Sequence, residues 1–202
     1  MKAIKAITIS LIIIISSAIS MRLEAKIKIS GPEFCWAMAH PFIAIKAKRI
    51  SEQAIKITDS LEANGILKDR SGGPLDAFKH AYWMALLSQQ INPRKAYKLG
   101  LAHEKFNYKQ SRKAKGGGDK AASDMDLWNN KIGKDIGYIN REVSKDSLIN
   151  IVIQMIKAGD MKIIKKNANG DSLTCEGQLI DKSTLKTWVN KRCLVCSDYV
   201  YI

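Results

Sequence analysis

The chain has 202 residues, 46% of them hydrophobic and 26% charged, enough for one ordinary domain with its own core. Lys and Arg number 33 against 19 Asp and Glu, a formal charge of +14, which points to anionic partners such as lipid head groups, nucleic acid or phosphate-bearing polymers. Past the first 20 residues no stretch is long and apolar enough to span a bilayer, and no internal repeat is present.

Residues 1–20 read as a secretory signal. Lys2 and Lys5 give a positive start, Ala6 to Ile19 carry no charge, and Ala18 and Ser20 are small residues suited to cleavage after Ser20. The apolar stretch is shorter than the roughly 20 residues of a transmembrane helix, and no Cys follows it to mark a lipoprotein. An uncleaved anchor is the alternative. Export, periplasmic or secreted, leaves a single domain over 21–202, and loss of Lys2 and Lys5 leaves a charge of +12. Many lysines stand singly among Ile, Asn and Ser, a composition that AT-rich coding also produces, so charge alone does not define a binding surface.

From Pro41 to Ala63, Ile43, Ala47, Ile50, Ala54, Ile57 and Leu61 recur at spacings of four and three, one face of a long helix stopped by Asn64-Gly65. His40, before Pro41, reads as a bystander at a helix start. After a loop over 69–73, a helix from Asp76 to Gln90 carries Phe78, Tyr82, Ala85 and Leu86 as one stripe. Asn92-Pro93 breaks it, and Pro93 begins a helix to about Tyr108. Residues 110–120 are a polar loop, and Lys105, Lys109, Arg112, Lys113, Lys115 and Lys120 bracket the glycines at 116–118. Helix resumes from Ala121 to Asn140, with Asp126, Asn129 and Asn130 on one face, and Ser144 caps another from Lys145 to Ala158. Past Gly159, Met161–Lys165 and Ser172–Cys175 flank the turn-rich 167–171, which predicts a short hairpin; Ser183 then caps a last short helix to Asn190. The fold class is mainly α, a single helical domain with a small C-terminal β-hairpin appendage.

Cys35, Cys175, Cys193 and Cys196 are an even set in an exported chain, which favours structural disulfides tying the N-terminal segment and the tail to the body. Three pairings are open. Cys193-Leu-Val-Cys196 alone also fits a redox pair or half of a zinc site, but no second close pair completes a zinc ribbon.

Asp76 and His80 lie one helical turn apart on one face. They are followed by His103-Glu104 and by Met125-Asp-Leu-Trp-Asn-Asn130, so two of the three histidines fall in one polar series. Gly73 to Trp83, His103-Glu104 and Met125 to Asn130 resemble an uncharacterised bacterial family with a Gly-Pro-x-Asp-Ala-Phe-Arg/Lys-His-Ala-Tyr-Trp helix, a His-Glu pair and a Met-Asp-Leu-x-Asn-Asn segment. The likeness spans about 70–165. It implies a helical domain carried by exported or toxin-like proteins, and it implies no reaction. The residue order is also weakly similar to that of HD-type phosphohydrolases, with Glu104 in place of the acid of the His-Asp pair. A zincin pattern is ruled out, because Asn107 stands where the second His would be.

The catalytic candidates are therefore Asp76, His80, His103, Glu104, Asp126 and Asn130, with His80, His103 and Asp126 as ligands of a divalent metal. Asn129 or Asn130 would orient substrate or bond backbone where Gly133 lets helices approach. Tyr82, Trp83 and Trp128 read as core. The expected activity is a metal-assisted or acid–base hydrolase acting on phosphoester or phospholipid substrates. The rival is a non-enzymatic basic module, or an effector, binding anionic envelope surfaces.

Overall fold

The computed structural model describes residues 30–112, 119–181 and 183–201. The expected signal segment, Lys113, Lys115 and the glycines at 116–118 lie outside the described residues. Six α-helices carry the fold: α1 (Gly31–Ala39), α2 (Pro41–Ala63), α3 (Pro74–Gln90), α4 (Pro93–Arg112), α5 (Lys120–Ile139) and α6 (Lys145–Lys157). A two-stranded antiparallel sheet, β1 (Lys162–Ile164) with β2 (Leu194–Cys196), completes it.

Helix α1 was not anticipated from the hydrophobic period, yet its start is written in a capping box. The Ser30 side chain accepts from Glu33 N–H, and the Glu33 carboxylate accepts from Ser30 N–H. His40 links α1 to α2, its Nδ1 3.0 Å from the Trp36 carbonyl oxygen. Helix α2 has the expected bounds and buries Ala47, Ile50, Ala54 and Leu61.

Helix α3 is central. Leu75, Ala77, Phe78, Ala81, Tyr82, Met84, Ala85, Leu86 and Leu87 are all fully buried. The predicted single stripe is thus a helix apolar around most of its circumference, as its place among α2, α4, α5 and α6 requires. Its closest partner is α5. A methyl built on Gly133 would strike the Ala81 carbonyl, and one on Gly137 the Ala85 carbonyl. These two glycines let the backbones touch where a Cβ would hold them apart.

The appendage differs in detail from the expected hairpin. Across 167–171 only the bridge Lys166↔Ser172 forms, and the ladder partner of β1 comes from the far end of the chain, in the register Lys162↔Cys196, Ile163↔Val195 and Ile164↔Leu194. Burial decides this: Ile163 and Ile164 are core residues, whereas the polar turn offers nothing to cover them. Asn129 fastens β1 to α5, donating to the Lys162 carbonyl and accepting from Lys162 N–H, both at 2.9 Å. The predicted last helix is reduced to a 3-10 turn, Thr184–Lys186.

Cys175 and Cys193 form a disulfide, while Cys35 and Cys196 are free and exposed. The bond therefore staples the appendage to itself and does not tie the N-terminal segment to the body; Cys193 and Cys196 are no redox pair. Next to Cys193, Arg192 Nη1 donates to Asp119 at 2.6 Å. Asp119 is also the N-cap of α5, so the staple is linked to the start of the helix that carries Asp126.

Candidate functional site

Asp76 sits in the first turn of α3, where acids are favoured. Gly72 N–H donates to its Oδ2 at 2.8 Å and Lys79 Nζ to its Oδ1 at 2.5 Å. Gly72 adopts φ +82°, a left-handed turn that brings this N–H round. One turn on, His80 is buried, its Nε2 3.7 Å from Asp76 Oδ1 and 3.2 Å from Asp126 Oδ1. Asp126 comes from α5, held against α3 by Gly133 and Gly137. One ligand atom from each of Asp76, His80 and Asp126 lies within 4.8 Å of the others, the one such trio among the described residues.

The polar groups around this trio are not all satisfied. Asp126 Oδ1 is buried without a hydrogen-bond partner, while the Asn130 amide lies beside the His80 ring and Ser123 beside the Glu104 carboxyl. The His80–Asp126 contact is near in distance but misaligned as a hydrogen bond. Burial pushes the His80 imidazole down to about 3, helped by neighbouring Lys79, so the ring is neutral. Burial likewise holds the Asp126 carboxyl well above the usual range, with Glu104 and Asp76 adding like charge. Glu104 is also raised by burial, offset in part by His103. Lys79 is paired with Asp76, but Asp126 and Glu104 crowd a neutral imidazole with no cation in direct contact, a condition a divalent ion relieves.

His103 stands beside the trio. Its ring centroid is 6.4 Å from that of His80 and it meets Trp83 edge-on. Its Nδ1 lies 2.7 Å from Glu33 Oε1. That contact with Glu33 raises the His103 pKa and lowers the Glu33 pKa to about 2. Among the expected metal ligands, His80 and Asp126 are in the trio; Asp76 takes the third place, and His103 is engaged by Glu33. Glu104 and Asn130 lie in the buried shell, with Asn107 Nδ2 donating to Glu104 Oε2 at 3.1 Å.

His80 and His103 open on a cleft of about 220 Å³ that Glu33, Ser51, Lys79 and Trp83 also line. Trp83 therefore belongs to the cleft wall and Trp128 is exposed, so of the three aromatics expected in the core only Tyr82 is fully buried. In the basic loop, Lys120 is tied to Asp124. Glu33 was missed in the sequence because its partner is 70 residues away; the Ser30-Gly-Pro-Glu33 cap was the one local sign of an ordered helix there.

A family model described as "Domain of unknown function (DUF6973)" matches residues 34–160, more than half of the chain, from α1 to the end of α6. No curated protein and no solved structure matches the chain.

Proposed function

This chain belongs to the DUF6973 family, and from that premise we propose that it is an exported hydrolase whose site holds a divalent cation between Asp76, His80 and Asp126, acting on phosphoester or phospholipid substrates. The observation that carries the proposal is the buried Asp126 oxygen, 3.2 Å from His80 Nε2 and without a hydrogen bond. Buried polar groups of a purely structural network are satisfied within the protein; this one is not. A cation there would lower the pKa of bound water towards neutrality and polarise a phosphoryl oxygen.

The remaining residues have roles that follow from their surroundings. Glu33 holds His103 in a fixed orientation and favours its protonated form. His103 is thereby suited to donate a proton to a leaving oxygen from the cleft side. Lys79, which lines the same cleft, offers a positive charge to an incoming phosphate. Glu104, buried and near enough for its charge to act on Asp126, is suited to take a proton there. Export is supported by the Cys175–Cys193 disulfide, a bond of oxidising compartments.

The test is hydrolysis of a chromogenic phosphodiester and of phospholipid by purified protein, before and after chelation and with metals restored. Activity that falls on chelation, returns with a divalent ion and is lost in His80→Ala and His103→Ala supports the reading. Activity indifferent to chelator and to both substitutions contradicts it.

A further inference from the structure

We propose that the corner between α1 and α2 is a docking surface for anionic phospholipid bilayers, and that a surface track leads from it to the His80 cleft. Phe34 and Met38 stand one turn apart on α1, and Phe42 and Ile45 follow on α2 across the His40 corner. All four are exposed, Phe42 to 88%. Single exposed apolar residues are ordinary, but large ones gathered on successive turns mark an interaction site.

The surroundings select the partner. Phe42 and Ile45 line a hollow of about 470 Å³ with Lys46, Arg49, Gln53 and Lys145, and no acidic side chain borders it. Lys46 Nζ donates to the Gln90 carbonyl and Lys145 Nζ to Gln53 Oε1. These bonds fix two ammonium groups at the rim without neutralising them. None of Lys46, Arg49 and Lys145 forms an ion pair with an acid among the described residues. An apolar tip ringed by free cations is the chemistry of an interfacial helix, its aromatic ring entering the acyl boundary while the bases meet lipid phosphates.

The track runs inward from there. Ile45 also borders a second, mostly apolar hollow with Ala44, Lys48, Ser51, Ile55 and Trp83. Ser51, Ile55 and Trp83 in turn line the cleft of His80 and His103. A lipid drawn from the bilayer at Phe42 thus meets an apolar path along α2 that ends beside the histidines. The docking surface rests on its own geometry; the lipid as substrate rests on the hydrolase reading above.

The experiment is co-sedimentation with phosphatidylcholine vesicles, with and without phosphatidylglycerol, across a salt series. It compares the wild-type protein with Phe42→Asp, Met38→Asp and His80→Gln. Phe42 and Met38 are exposed, so their substitution leaves the fold intact, and an acid suits the first turn of α2. The wild type binds vesicles containing phosphatidylglycerol, more weakly as salt rises, and Phe42→Asp and Met38→Asp each weaken binding by about tenfold or more through loss of apolar insertion. His80→Gln binds as the wild type does, so docking and hydrolysis fail separately. Wild type that ignores such vesicles, or Phe42→Asp that binds as well as the wild type, overturns the proposal. Wild type that instead self-associates in sedimentation, with Phe42→Asp monomeric and neither binding lipid, overturns it in favour of a second copy of the chain.

Discussion

Replacing Gly133 by Ala sets two effects of opposite sign against each other. Intrinsic helix propensity favours the change by about 1 kcal/mol. Against it, the new methyl would lie well inside 3.0 Å of the Ala81 carbonyl oxygen. That obstacle is backbone within α3, so no rotamer change clears it, and α3 and α5 must part by on the order of 1 Å in a close-packed core. Overpacking of this kind costs about 1–3 kcal/mol, towards the upper end where backbone must shift. The packing term wins, for a net loss of about 1–2 kcal/mol, or a fall of roughly 2–8 °C in Tm at this chain length. The parting also carries Asp126 away from His80, whose neighbour Ala81 is the point of contact. Urea denaturation and thermal melts of Gly133→Ala test the magnitude. Gly100→Ala is the control, since its methyl would meet only the Asn130 and Met84 side chains, each at 3.3 Å, and stays near neutral. Ala81→Gly does not rescue Gly133→Ala, because the carbonyl remains. A Gly133→Ala protein as stable as the wild type refutes the α3–α5 contact on which the site depends.

Further outcomes follow from the same structure. In chelator-treated protein at neutral pH, Asp126→Asn is more stable than the wild type by on the order of 1–3 kcal/mol, because a buried carboxylate without a partner is removed; equal stability in urea titrations contradicts this. The sign with pH is set by the raised Asp126 pKa: its contribution to stability is lost as pH rises from the ordinary value of 3.8 through the folded one, so the advantage of Asn shrinks towards pH 4. His103, raised by Glu33, contributes stability that is complete below its ordinary 6.5 and lost as pH rises through the folded value. Glu33, lowered to about 2, contributes stability present above 4.5 and lost as pH falls towards 2. Glu33→Gln therefore lowers the His103 pKa, read from its ring resonances by NMR; an unchanged titration shows that the pair does not form. Reducing the Cys175–Cys193 bond, which closes a separation of 18 residues, costs about 3 kcal/mol and loosens the start of α5 through Arg192 and Asp119, measurable as a shift in the denaturation midpoint with and without reductant.

The helices were legible because their apolar residues repeat at a helical period and their ends carry Pro, Asn-Gly and Ser signals; Ser144, for example, accepts from Ser147 N–H as a cap. Asp76 and His80 were legible as a pair because one helix fixes their spacing. Joining Asp126 to them needed α5 to lie directly on α3, and Gly133 was the local sign of that. The role of Glu33 was not legible, because its contact with His103 exists only once α1 docks on α4. The partner of β1 was hidden for the same reason: the nearer segment offered a turn, but the strand that covers Ile163 and Ile164 lies past the disulfide. Cysteine pairing likewise depends on which chain ends meet, and spacing carries no record of that.

The central claim is that Asp76, His80 and Asp126 hold a divalent ion, and calorimetric titration of chelator-stripped protein with zinc and manganese tests it most directly. The account predicts saturable binding of a single ion per chain, stronger as pH rises because the ligands must give up protons, and abolished in both His80→Gln and Asp126→Asn. Wild-type protein that binds neither ion, or binding that both variants retain, would contradict it.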